Sequence, residues 1–164
     1  MKTDNLFTNV DWRTLRIIPA LSMTQPWATL WMLLEKRIET RSWKTKYRGP
    51  VAVHAAKGFP MDCRDLCDTP PFREVLRAHG LGASDLPLGK ILCISSIQDC
   101  LPTEKISQAW CYYSEAIHEE VFGDYSPGRF GFLLGGIDKV FDPPIPAVGH
   151  LGLWGWKIPD EVRR

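Results

Sequence analysis

Between Arg16 and Ile158 the apolar residues of this chain come in short segments, punctuated by glycines and prolines (thirteen of each in the whole chain). The longest predominantly apolar run, Trp27 to Leu34, is eight residues and contains Thr29. That punctuation constrains the fold more than any other feature. A bilayer-spanning helix needs ~20 apolar residues, so no membrane insertion is expected. Short strands with turn signals between them, and two or three inserted helices, predict an α+β fold, a small mixed β-barrel with flanking helices, rather than a doubly wound sheet.

Local patterning places the elements. Arg16 to Met23 predicts a first strand. Pro26 suits the first turn of a helix, where its missing N–H costs nothing. Trp27, Leu30, Trp31 and Leu34 follow at helical spacing, and the helix should end near Lys36. Ile38 to Trp43 predicts a strand with Glu39, Arg41 and Trp43 on one face and Thr40 and Ser42 on the other. Val51 to Ala56 predicts another, with Val51, Val53 and Ala55 opposite Ala52, His54 and Ala56. Met61 to His79 reads as a helix in two pieces, interrupted at Pro70-Pro71 and closed by Gly80. Lys90 to Ile97 is an apolar strand, Thr103 to Val121 a helical region, and Arg129 to Phe141 a long strand. The glycines of that strand suit bends or close backbone approach. Pro143, Pro144 and Pro146 should separate it from a last segment, Gly149 to Ile158.

With 164 residues, 45% of them hydrophobic and 24% charged, the chain can bury one core without a disulfide or metal staple. Residues 1–15 read as an N-terminal arm and 16–164 as a single domain. Five cysteines and a start, Met1-Lys-Thr-Asp-Asn, without an apolar core predict reduced thiols and a cytoplasmic location. Cys63 and Cys67 are one helical turn apart, which suits a helix face as well as a metal pair, and no metal is expected. No G-x-G-x-x-G follows a strand, so no cofactor is expected either.

A net charge of +1 excludes nucleic-acid coating by bulk charge. Lys36 to Arg48 nevertheless holds six basic residues and one acid, and Asp99 to Asp124 holds six acids and one base. The first block is either a phosphate footprint or a solvated face. The second is either a solvated face or a docking surface with Trp110, Tyr112 and Tyr113, although core packing suits those aromatics better.

The chemistry concentrates between Leu21 and Lys57. Opposite charges at Glu39 and Arg41 on one strand face are either exposed or paired in a polar cleft, because an unpaired buried charge is expensive. A glutamate accepts from an exocyclic amine, an arginine forks onto phosphate or a base edge, and Trp43 offers a stacking surface. His54 is flanked on its own face by Ala52 and Ala56, which leave room above the ring. Each of these residues has a structural alternative: lateral strand pairing for Glu39 and Arg41, a backbone hydrogen bond for His54, a polar hairpin for Lys44, Lys46 and Tyr47.

Leu21-Ser-Met-Thr-Gln-Pro-Trp-Ala28, Lys36-x-x-Glu39-x-Arg41-Ser-Trp43, Tyr47-Arg-Gly-Pro50 and His54-Ala-Ala-Lys57 together resemble the ASCH domain (activating signal cointegrator homology). Pro127-Gly-Arg-Phe-Gly-Phe132 and Gly149-His-Leu-Gly-Leu-Trp154 extend the resemblance. It implies a PUA-like β-barrel with a nucleic-acid cleft between the barrel and the helix after the first strand. The family's G-x-K-x-x-E-x-R signature falls on Lys36, Glu39 and Arg41, with Leu34 in place of the glycine. Some small members resemble amidohydrolases of N-acylated cytidine that use a lysine and a threonine of this signature; here the threonine position is Glu39.

The expected function is therefore an RNA- or nucleic-acid-binding module that holds a single-stranded base or nucleoside in a charged, aromatic-lined cleft. Gln25, Trp27, Arg41, Ser42, Trp43, His54, Lys57 and Arg129 are the candidate ligand contacts, and Lys44, Lys46 and Arg48 the candidate phosphate contacts. The alternative is a hydrolase of RNA or N-acylated cytidine using Lys36 and Glu39, since a desolvated lysine can act as base or nucleophile.

Overall fold

A computed structural model describes residues 10–108 and 119–163. After a single 3-10 turn at Trp12–Thr14, capped by the Asp11 side chain, the chain forms β1 (Ile17–Met23), α1 (Trp27–Met32), β2 (Ile38–Arg41), β3 (Gly49–Ala55), α2 (Met61–Leu66) and α3 (Phe72–Ala78). Next come β4 (Lys90–Pro102), α4 (Thr103–Gln108), β5 (Phe130–Leu134), β6 (Lys139–Pro146), β7 (Leu153–Lys157) and α5 (Asp160–Arg163). The predicted helix through Val121 lies partly outside the described residues, as do Trp110, Tyr112 and Tyr113; its far end is a 3-10 turn at Glu119–Phe122. Among the described residues no helix is long and apolar enough to cross a membrane.

The strands form one mixed sheet in the order β2-β5-β4-β3-β1-β7, with β6 branching from β4. β1 and β3 run parallel, and α1 belongs to the crossover that parallel strands require. The other pairings are antiparallel. One edge of the long β4 pairs with β3. The other is shared, with β6 against Lys90–Ile94 and β5 against Ile97–Pro102.

The sheet is not closed, which corrects the expected barrel. Its end strands β2 and β7 do not pair with each other. β2 has only four residues, and the gap between it and β1 is bridged by a side chain: Arg41 Nη2 donates to the Ser22 carbonyl at 2.7 Å. A cleft lined by the end of β1 and by β2 lies at this bridge.

β3 is buried along its whole length because both faces of the sheet are covered. Val51, Val53 and Ala55 join Leu21, Met23, Leu92 and Phe132 in a core closed by Ala28 and Trp31 of α1. Ala52 joins Ile18, Ile91, Phe141 and Trp156 on the opposite face. The expected alternation in this strand is thus observed. A third cluster, Leu30, Cys67, Phe72, Leu76 and Phe122, fastens α2 and α3 to the outer side of α1.

Three local expectations need correction. α1 stops at Met32, short of Lys36, because Leu34 takes φ of 61°, the left-handed region that ends helices and favours glycine. The position where the family signature has glycine thus adopts a glycine-like backbone conformation with leucine in its place. The long strand from Arg129 splits at Gly135-Gly136 into β5 and β6, since the two halves pair with different stretches of β4. Pro143, Pro144 and Pro146 lie inside β6, an edge-like branch where a missing N–H is tolerated. Gly131 has its close approach: a Cβ there would collide with Ile106 of α4 and Ile38 of β2.

Candidate functional site

The cleft beside β2 is a cavity of about 300 Å³ formed by the end of β1 (Ser22, Met23, Thr24), Trp27, β2 with Ser42 and Trp43, and Arg129. A neighbouring hollow of about 340 Å³ shares Trp27, Glu39 and Thr40 with it and extends it towards Val121–Asp124. Glu39 and Arg41 point to this cleft from one face of β2, as period-two alternation requires. Glu39 Oε1 lies 3.1 Å from Arg41 Nε. The buried Nε is at ion-pair distance but not aligned for a hydrogen bond.

Arg129 donates to the Asp124 carbonyl at 3.1 Å and the Thr40 carbonyl at 3.4 Å, and its Nε is 3.3 Å from the Asp124 carboxylate. Thr40 Oγ1 in turn accepts from the Asp124 N–H. Trp27 and Trp43 are each held by an edge-to-face contact, with Phe72 and Phe132 respectively. The floor of the cleft therefore carries two cations matched by two carboxylates, between two braced indoles.

Lys36 lies beneath this floor rather than on it. Its ammonium is 1% exposed; it donates to the carbonyls of Ile38 (2.6 Å) and Phe122 (2.7 Å) and sits 3.5 Å from Glu39 Oε2. Glu119 completes the buried node, accepting from the Arg37 N–H at 2.6 Å, the Ile38 N–H at 3.0 Å and the Tyr125 hydroxyl at 3.3 Å. Burial pushes the Glu119 carboxyl above the usual range, opposed by Lys36 and the two backbone N–H groups.

Gln25 is also fully buried, donating to the Pro87 carbonyl and accepting from the Thr29 N–H. Its amide ties α1 to the chain before β4. Arg48 is committed to the carbonyls of Thr45 and Tyr47 and to Asp99, 2.8 Å away. Lys44 and Lys46 are exposed beyond Trp43.

His54 and Lys57 belong elsewhere. They line a second cavity of about 960 Å³ with Ser22, Gly89, Lys90, Ala147 and His150. The His54 ring is buried, its Nδ1 3.0 Å from Ser22 Oγ, its Nε2 3.1 Å from the Ala147 carbonyl. Burial lowers its pKa. A carbonyl can only accept, so Nε2 carries the proton and Nδ1 accepts from the Ser22 hydroxyl, which itself accepts from Trp154 Nε1 at 3.0 Å.

The sequence-predicted residues thus divide in four. Trp27, Glu39, Arg41, Ser42, Trp43 and Arg129 converge on the cleft, His54 and Lys57 on the second cavity, Lys36 and Gln25 are interior, and Lys44, Lys46 and Arg48 line neither cavity. Sequence reasoning missed Ser22, which borders both cavities, and Glu119, which carries the node. Ser22 sits inside the Leu21–Ala28 motif and was within reach; Glu119 looked like one more acid in a charged run. The two charge blocks meet at two points, Arg48 with Asp99 and Glu119 with the Lys36 region, while Lys44, Lys46, Glu104 and Glu120 are exposed. Cys67 is buried in the cluster behind α1, and among the described residues no three potential ligands gather to hold a metal.

An open mixed sheet with a polar, indole-edged hollow beside β2 defines a small α+β domain. Residues 21–132 match the ASCH domain, and the chain belongs to that family. ASCH domains are PUA-like modules often linked to RNA binding. The chain is 34% identical over 91 residues to activating signal cointegrator 1 of Homo sapiens and 33% identical over 89 residues to that of Mus musculus. Each match covers 54% of this chain and 15% of the relative, so the chain corresponds to a small part of those proteins.

Proposed function

We propose that this protein is a nucleic-acid-binding module that holds one unpaired base or nucleoside, on single-stranded RNA in the first instance, in the cleft between β1 and β2. The observation that carries this reading is the charge-matched floor, Glu39 with Arg41 and Arg129 with Asp124, set between Trp27 and Trp43. A base edge is itself uncharged and presents donors beside acceptors, so it is complementary to such a floor in a way that a phosphate is not. Sequence-reading of RNA works through unstacked bases of this kind, held against aromatic rings. The edge-to-face contacts that brace both indoles lower the ordering cost of binding.

The geometry does not favour the hydrolytic alternative. The Lys36 ammonium is enclosed by three protein oxygens beneath the cleft, and among the described residues Lys36 lines neither the cleft nor the hollow beside it.

The test is the affinity of short single-stranded RNA for wild type, Arg129→Ala and Trp43→Leu, with thermal melts to confirm folding. Removal of a charge-assisted hydrogen bond at Arg129 should weaken binding about tenfold. Removal of the stacking surface at Trp43 should cost ~1–3 kcal/mol. Equal affinity across all three proteins overturns the assignment of the cleft.

A further inference from the structure

The second cavity, about 960 Å³, is larger than the cleft, and its lining has a different character. It opens beyond the carboxyl ends of the parallel strands β1 and β3, at Ser22 and His54, where chain paths diverge and crevices form. Two of its lining residues, Lys57 and Lys90, are lysines, and none is acidic. Neither lysine is in an ion pair among the described residues. The matched charges of the cleft are absent here, so the lining carries a net positive charge.

Apart from Ser22, His54 and His150, the rest of the wall is apolar. Leu151 is 99% exposed and Val148 78%, on the loop that forms one lip. That loop is anchored: His54 holds the Ala147 carbonyl, and Gly149 lies so close to the His54 ring and Ser22 Oγ that any side chain at 149 would collide with them. With both ring nitrogens occupied, His54 shapes the wall and is not itself the anion's partner. Exposed apolar side chains held over a cationic, acid-free floor suit a ligand with an anionic head and a flat, largely apolar body.

We propose that this cavity is a second ligand site that takes the phosphate of a nucleotide, with Lys57 and Lys90 on the phosphate and the Val148–Leu151 lip against its base or sugar. The phosphate belongs either to a free mononucleotide or to the strand whose base occupies the cleft. The second source rests on the cleft being a base site. It is geometrically natural, because Ser22 borders both cavities: its carbonyl faces Arg41 and its hydroxyl faces His54.

Titration of the intact protein with each common nucleoside, its 5′-monophosphate, inorganic phosphate and short single-stranded RNA separates these cases, using wild type, Lys57→Ala/Lys90→Ala and Arg129→Ala. For a mononucleotide site, the monophosphate binds about tenfold more tightly than its nucleoside, inorganic phosphate competes, and the double lysine variant loses the preference. For a strand phosphate, the lysine variant weakens RNA binding and flattens its log–log salt slope by about one to two, while mononucleotides bind weakly. Lysine-variant affinities equal to wild type for both ligands overturn this site and leave the cleft reading intact. Weaker binding by the lysine variant, with Arg129→Ala binding as tightly as wild type, sinks the cleft and retains this site.

Discussion

Two polar networks meet at Ser22 and are built on opposite principles. On the cleft side, Lys36, Glu39, Arg41 and Glu119 form an ionic network whose charges are mostly spent on backbone: Lys36 on two carbonyls, Glu119 on two amides, Arg41 on the Ser22 carbonyl. On the cavity side, Trp154, Ser22, His54 and Ala147 form a neutral chain in which each proton has one acceptor. The first network works only while charged and the second while His54 is unprotonated. Charge placed inside a small domain serves folding first, and of the cations only Arg41 at the edge of this network, with Arg129 beside it, lines the cleft.

The contrast between the two networks is sharpest at Lys36. Replacing it by methionine preserves most of the volume but leaves Glu39 and Glu119 facing one another's field without the cation between them. Removing one partner of a buried ionic group costs about 3–5 kcal/mol, a large share of the ~5–15 kcal/mol that holds a domain together. The urea midpoint of Lys36→Met should fall accordingly, with an unchanged slope. A Lys36→Met protein as stable as wild type would show that the node is not what joins α1, β2 and the Glu119 turn.

The neutral network is tested by pH instead. Burial depresses the His54 pKa below its ordinary 6.5. The folded state therefore takes up a proton less readily than the unfolded chain. Stability from this group is fully present above pH 6.5 and is lost as pH falls from there through the folded-state pKa. His54→Gln, which can still donate to the Ala147 carbonyl, should flatten that part of the stability–pH curve. An identical slope in the variant would mean that another group titrates in this window.

Much of the fold was legible because its signals are local. Alternation placed the two faces of β3, apolar content found β1 and the first half of β4, and Pro70-Pro71 located the break between α2 and α3. Strand pairing is not local: nothing in β2 reveals that its free edge faces a side-chain bridge instead of a ladder, so closure into a barrel was the wrong expectation. The same limit divided the site. Period-two patterning correctly put Glu39 beside Arg41, but which cavity a strand end borders depends on neighbours far along the chain. His54 reaches Ala147 across 93 positions, and Arg37 reaches Glu119 across 82. Burial of Lys36 is invisible in sequence for the same reason, since one of its carbonyl partners, Phe122, is 86 positions away.

The smallest effect belongs to the lysines just past the cleft, and it sharpens what separates Lys36 from its neighbours. Lys44 and Lys46 are exposed and make no ion pair among the described residues. Substitution of such side chains leaves stability within ~0.5 kcal/mol, so Lys44→Ala/Lys46→Ala should melt with wild type. Their charges remain available to a backbone passing Trp43, and removing one lysine that neutralises a phosphate lowers the log–log salt slope of RNA binding by about 0.7. A variant with unchanged stability and a shallower slope places these lysines on the strand's path. One with unchanged stability and an unchanged slope makes them ordinary solvated residues, and then the cationic surface available to the strand narrows to Arg41, Arg129 and the Lys57–Lys90 pair.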